Sequence, residues 1–239
     1  MYGRPASSGY AYWSSDGVRL GEGTGPPVLT VTGHARHATF PDEDGNLAVG
    51  AFGSVRTLSR DGPLVRHSPI DALDGPAGPL VLDLARSGRR AELRVVGPDG
   101  RIDAIASVRG RREIAATLAR DDTHLYVAYR VGNRLTLATA PASLDARWSR
   151  RRLRVKGALN GAPAIARVGR RTFVATSQRR SIYLTTAGPA GTFTDRLTKP
   201  RGSDLAPLAA SGPDGRVYVA WTRRTNGSNR RSAVLRRVL

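Results

Sequence analysis

A chain of 239 residues with 40% hydrophobic residues and no cysteine can build one large β-domain or two ordinary ones, and it excludes disulfides, thiolate catalysis and cysteine-ligated zinc. Its net charge of +19 comes from 38 basic residues of which only Lys156 and Lys199 are lysine; the codon bias of a GC-rich bacterial genome explains arginine over lysine, but not the excess of positive charge. No apolar run approaches the roughly 18 residues of a membrane span, and no apolar signal-peptide segment is visible at the start.

In chain order, "GYAYWSSDGVRL" (9–20) reads as a hairpin between a third and a fourth strand. "DGNLAVGA" (44–51) and "GRRAELRV" (88–95) carry a turn followed by a strand, and so do "DTHLYVAY" (122–129), "GRRTFVAT" (169–176) and "DGRVYVAW" (214–221). Asp214-Gly215 reads as a two-residue hairpin turn, since glycine supplies the positive φ it needs. Aligned on Ala48, Glu92, Tyr126, Phe173 and Tyr218, these segments recur at spacings of 44, 34, 47 and 45 residues. A period in the mid-forties built of short strands predicts the blades of a β-propeller, and two β-sandwich domains are the alternative. The units "EIAATLA", "HLYVAYR", "RLTLATA", "WSRRRLRV" (within 113–155) and "APAIAR", "TFVATS", "SIYLTTA", "TFTDRLT" (within 162–198) each parse as four strands. The expected fold is therefore all-β: a single propeller domain over 1–239, with a partial blade at 1–33 and four-stranded blades near 34–75, 76–111, 112–161, 162–205 and 206–239, five or six in all. The unit at Glu92 is short by about ten residues, so it is expected to lack its outer strand. The N-terminal hairpin is expected to complete the C-terminal strands, removing two exposed edges.

This pattern resembles the sialidase-type propellers, the superfamily that carries Asp-box repeats, over about residues 10–239. Remnants of the Asp-box are Ser14, Asp16 and Gly17; Ser59, Asp61 and Gly62; and Ser143, Asp145 and Trp148, each expected at a turn between third and fourth strands. Their implied role is structural, with Ser and Asp bonding back to turn amides. The family's Arg-Ile-Pro motif is missing, and its arginine triad, Tyr–Glu nucleophile pair and acid Asp cannot be located; Tyr126, Tyr183 and Tyr218 read as blade core. The resemblance implies an extracellular or cell-envelope setting.

Other chemistry is sparse. His34 and His37, three apart on a strand, face opposite sides and suit no shared metal. Asp42, Glu43 and Asp44, and Asp121 with Asp122, sit in turns and read as turn caps; carboxylates adjacent in one turn do not span a glycosidic bond. The strongest basic run is Arg150, Arg151, Arg152, Arg154 and Lys156, where charges alternate with Leu153 and Val155 on an outer strand. It is either a solvated edge or a polyanion-binding face. No cofactor or metal is implied. The expected function is a monomeric, non-catalytic binding module for an anionic glycan, surface polymer or protein partner, with weak, salt-sensitive polyanion binding. The alternatives are a sialidase-like glycoside hydrolase with diverged or missing catalytic blades, and a non-specific nucleic-acid binder.

Overall fold

The computed structural model describes residues 2–6, 9–13, 19–23, 27–32, 35–42, 44–51, 54–61, 64–110, 112–143, 147–199, 202–225 and 231–239. Every regular element among them is a β-strand, so no helix is long and apolar enough to cross a membrane. The chain divides into two compact units, residues 1–112 with 144–146 and residues 113–143 with 147–239.

In the first unit, β1 (Tyr2–Ala6), β2 (Gly9–Trp13) and β3 (Arg19–Gly23) form a three-stranded antiparallel sheet. A four-stranded sheet follows, with β4 (Val28–Thr32), β5 (Ala35–Pro41), β6 (Leu47–Ala51) and β7 (Ser54–Ser59) in sequential order. The next sheet joins β8 (Val65–Arg66), β9 (Pro69–Gly75), β10 (Gly78–Ser87), β11 (Arg90–Val96) and β12 (Ile102–Arg109), with both β8 and β9 paired to β10. The second unit repeats the up-and-down order: β13 (Ile114–Arg120), β14 (His124–Val131), β15 (Arg134–Pro141) and β16 (Ser149–Leu153), then β17 (Leu159–Val168), β18 (Arg171–Gln178), β19 (Ser181–Gly188) and β20 (Gly191–Arg196). A three-stranded sheet of β21 (Gly202–Ser211), β22 (Val217–Thr225) and β23 (Arg231–Arg237) completes it.

The sheets correct three sequence expectations. First, four strands is not universal: the first and last sheets have three, and β8 adds a two-residue fifth strand to the third. Second, Ala48 and Glu92 lie on third strands, β6 and β11, whereas Tyr126, Phe173 and Tyr218 lie on second strands. The second strands β5, β10, β14, β18 and β22 start at Ala35, Gly78, His124, Arg171 and Val217, steps of 43, 46, 47 and 46. The short step at Glu92 was a register error, and that sheet keeps its outer strand as β12. Third, Asp214-Gly215 is not a two-residue turn. Gly212 N–H bonds the Arg216 carbonyl at 2.8 Å, Gly215 N–H bonds the Gly212 carbonyl at 3.1 Å, and Gly215 has φ +71°. That is a three-residue loop, a type I turn closed by a left-handed glycine, with Pro213 at the position its fixed φ favours. The same "GPDG" loop recurs at 97–100.

In the second unit the sheets pack face to face. Tyr126, Ala128, Leu135, Leu137 and Leu153 of the β13–β16 sheet meet Leu159, Ile165, Val174 and Ala187 of the β17–β20 sheet. The alternate residues of the latter, Ala164, Ala166, Phe173, Ala175, Ile182 and Leu184, meet Val217, Val219 and Trp221. A strand covered on both faces has no polar side, which is why β18 is buried from Thr172 to Gln178.

In the first unit an ionic cluster is buried beneath β8. Arg94 on β11 lies opposite Asp83 on β10. Its Nε donates to Asp83 Oδ2 at 3.1 Å and its Nη2 donates to Asp61 Oδ2 at 2.6 Å. Ser59 Oγ donates to Asp61 Oδ2 at 2.5 Å, and His67 Nδ1 lies 2.9 Å from Asp83 Oδ2. Asp83 is fully buried and also accepts from the Ser68 amide, so the cluster ties the 59–68 connection to β10 and β11. The Arg94 hydrogen bond, acting against burial, holds the Asp61 carboxyl below its ordinary range. Replacing Arg94 by Met strips the fully buried Asp83 of its guanidinium partner and leaves the partly exposed Asp61 unpaired by it. We expect Arg94→Met to lose about 3–5 kcal/mol in denaturant unfolding; a loss below about 1 kcal/mol, the scale of exposed pairs, would show that the cluster does not hold this segment.

Candidate arginine–tyrosine cleft

The layer between the β13–β16 and β17–β20 sheets is filled with apolar side chains at its centre and becomes polar at one end. Cross-strand register puts Tyr126, Thr139 and Ser149 in one row across β14, β15 and β16, and Ala128, Leu137 and Arg151 in the next. From the facing sheet come Arg167, Thr172 and Ala187, also one row. All of these but Ala128, together with Asp121, Thr123, His124, Arg170 and the Gly188-Pro189 turn, line a cleft of about 680 Å³.

Asp121, in the β13–β14 turn, organises the mouth. Its Oδ1 accepts from the Thr123 amide (2.9 Å), the Thr123 hydroxyl (2.9 Å) and the His124 amide (2.8 Å). Its Oδ2 accepts from the Tyr126 hydroxyl (2.9 Å) and from Arg167 Nη2 (2.6 Å). Burial opposes the charged form, but the bonds from Thr123, Tyr126 and Arg167 outweigh it and hold the carboxyl well below its ordinary range. Burial and the bond to Asp121 push the Tyr126 phenol up to about 12, so it stays neutral. The Arg167 guanidinium stacks over the Tyr126 ring, 4.1 Å from its centroid, and also donates to Thr172 Oγ1 (3.0 Å) and the Gly169 carbonyl (2.8 Å). Thr123 Oγ1 lies 2.8 Å from His124 Nδ1; since that hydroxyl donates to Asp121, the ring Nδ1–H donates to it, leaving Nε2 an acceptor in the neutral imidazole.

Asp121 and Arg167 thus neutralise each other. Arg151 and Arg170, both exposed, have no hydrogen bond or ion pair among the described residues. They are the uncompensated charges of the cleft.

The basic run foreseen in the sequence splits. Arg150, Arg151 and Arg152 lie on β16 and Arg154 and Lys156 in the following connection, all exposed, with Leu153 buried between them. Arg151 faces the cleft, whereas Arg152, Arg154 and Lys156 line a separate groove of about 600 Å³ with Asn133. That groove is held by buried Gln178, whose Oε1 accepts from the Lys156 amide at 2.8 Å, and by Asn133 Oδ1, which accepts from the Leu159 amide at 3.1 Å.

Of the Asp-box remnants, Ser14, Asp16, Gly17, Gly62 and Asp145 lie outside the described residues, as do His34 and Glu43. Ser59 ends β7, the last strand of its sheet, and Asp61 follows it, so the pair does not join a third strand to a fourth. Ser143 and Trp148 lie between β15 and β16, a third-to-fourth connection, and Trp148 is buried. His37 sits on β5. Tyr126 belongs to the apolar core and is half of the cleft's floor as well. Among the described residues no group of three His, Asp or Glu side chains is placed to hold a metal ion. Arg167 and Arg170 are not among the site residues expected from the sequence. The one available signal was that Asp121 and Arg167 are opposite charges 46 residues apart, one repeat.

No family model and no curated protein matches this chain in sequence. Solved structures do match in shape. A Mycobacterium tuberculosis puromycin-hydrolyzing peptidase is 15% identical with a TM-score of 0.59, over 97% of this chain and 44% of that one. The Aleuria aurantia lectin in complex with α-methyl-L-fucoside is 14% identical with a TM-score of 0.53, over 97% of this chain and 84% of that one. A neuraminidase-like protein of a flat-faced bat strain is 8% identical with a TM-score of 0.51, over 87% of this chain and 70% of that one. Similarity at these identities shows the fold alone: the chain has a propeller-type all-β fold and spans less than half the length of the peptidase.

Because the folded-state Asp121 carboxyl lies below its unfolded value of about 3.9, its contribution to stability is present above about pH 4 and is lost as pH falls further. We expect Asp121→Asn to lower the melting temperature at neutral pH, with the gap to the unaltered protein closing between about pH 5 and pH 2. A gap that stays constant through that range would show that the carboxylate is not held by these bonds.

Proposed function

We propose that this protein is a sialidase-like, non-catalytic binding module that takes a carboxylated glycan in the Arg151–Arg170 cleft. One observation carries the reading. Two unpaired guanidiniums from neighbouring sheets line one cleft in which the other charges are already satisfied. Guanidinium forks match carboxylate geometry and are weakly hydrated, so they suit an anion better than lysine would. Tyr126 offers an aromatic floor and His124 Nε2 an acceptor for a sugar hydroxyl. The lectin of similar fold, complexed with a fucoside, supports a glycan as the ligand class and says nothing about which sugar.

Binding is favoured over hydrolysis by the chemistry of the cleft. Glycoside hydrolysis generally uses two carboxyl groups flanking the bond. Asp121 is the one carboxylate among the cleft's lining residues, and both its oxygens are engaged. A carboxyl held so far below its ordinary range cannot serve as a general acid, and a phenol pushed up to about 12 is a poor nucleophile.

A second reading, a salt-sensitive polyanion binder, rests on Arg152, Arg154 and Lys156 along the other groove. One set of measurements separates the two. Against a panel of neutral, sulfated and carboxylated glycans, we expect selective binding of the carboxylated members. Removing both guanidiniums by Arg151→Ala with Arg170→Ala should cost at least tenfold in affinity, since a hydrogen bond to a charged group is worth about 1.5–3 kcal/mol. Replacing Arg152, Arg154 and Lys156 by Ala should leave that binding unchanged. Binding that ignores the cleft variant, falls with the groove variant and weakens steeply with salt would put the polyanion reading first.

A further inference from the structure

The β17–β20 sheet has a second cavity at the same end as the cleft but on its other face. It measures about 730 Å³ and lies where the layer toward β21–β23 opens. Register fixes which residues reach it: Phe193 pairs with Thr186 and Asp195 with Leu184, so both stand on the face that Leu184 presents to β21–β23. The two cavities share Gly169, Arg170, Gly188 and Pro189, the β17–β18 and β19–β20 turns that form the end of the sheet. Gly169 adopts φ +54° with no atom near a would-be Cβ, and Pro189 has no amide proton, so the rim between the cavities is low and carries one charge, Arg170.

Phe193 is a large aromatic side chain left 59% exposed on a strand that otherwise reads Gly-Thr-x-Thr-Asp-Arg. It gains nothing for the fold in that position. An exposed aromatic inside a cavity is an apolar platform of the kind ligand sites use. Two residues on, Asp195 is exposed with no partner among the described residues. It accepts hydrogen bonds from hydroxyls, and the exposed Arg171, which lines the same cavity, offsets its charge.

Resting on the carboxylated-glycan reading, we propose that the ligand is an oligosaccharide laid across the end of the β17–β20 sheet, with an acidic sugar on Arg151 and Arg170 and a second sugar stacked on Phe193 with a hydroxyl on Asp195. Cavities on opposite faces of one sheet are separated by the sheet itself, with layers about 10 Å apart, so a single sugar reaches only one.

The test is calorimetric titration with galacturonate and with galacturonate–rhamnose disaccharides of both linkage orders. We expect one order of the mixed disaccharide to bind about tenfold tighter than galacturonate, the scale of one aromatic contact. Phe193→Ala should erase the gain while galacturonate still binds. Phe193 is an exposed position, and an unchanged melting temperature confirms that the variant folds. If galacturonate binds through Arg151 and Arg170 but neither mixed disaccharide gains, the two-cavity proposal is wrong and the single-cleft reading stands. If no acidic sugar binds, the cleft reading fails and this proposal fails with it.

Discussion

Side chains of the β17–β20 sheet serve two neighbours at once, and the second unit depends on that constraint. Successive residues of a strand point to opposite faces. Here odd and even positions of β18 go to different layers, Val174 toward β13–β16 and Phe173 and Ala175 toward β21–β23. Both layers are largely apolar at their centres, where the buried polar side chains are small ones such as Thr176 and Thr185. Their open ends give room for charged side chains between the sheets. The two cavities at the β17–β18 end are therefore consequences of packing, one per layer.

At the mouth of the first layer the protein must place charge next to an apolar core. Asp121 and Arg167 do this as a pair, with Tyr126 between them contributing its ring to the guanidinium and its hydroxyl to the carboxylate. Their mutual neutralisation is what makes the remaining guanidiniums, Arg151 and Arg170, stand out as groups with no internal task. The first unit shows the contrasting use of the same residue types. Arg94 and Asp83 are buried and bonded to each other, Asp61 joins them from the more exposed side, and there the ionic cluster fixes a connection.

Much of this fold was legible in the sequence. Alternation of β-branched, aromatic and small residues between Gly-containing turns marked the strands of the second unit, and the mid-forties period marked the repeat. In the first unit the repeat slips by one strand, because second and third strands alike follow a turn with an apolar run; nothing local tells "GRRAELRV" apart from "GRRTFVAT". The basic run on β16 was visible, but its division was not. Arg151 and Arg152 are adjacent in sequence and go to different cavities because strand neighbours face opposite ways, and which face looks onto the cleft depends on the partner sheet. Arg170 and Phe193 read as ordinary turn and strand residues, since their roles come from rows supplied by other strands. The Arg94 cluster joins residues up to 35 apart in sequence with no shared motif, so it had no local signature.

The central claim is that a carboxylate docks on Arg151 and Arg170 at the open end of the layer between two sheets. Arginine side-chain NMR during titration with galacturonate tests it most directly. The account predicts that the Nε–Hε resonances of Arg151 and Arg170 move together along one binding curve while those of Arg152 and Arg154 stay fixed. Shifts confined to Arg152 and Arg154, or saturation with Arg151 and Arg170 unmoved, would contradict it.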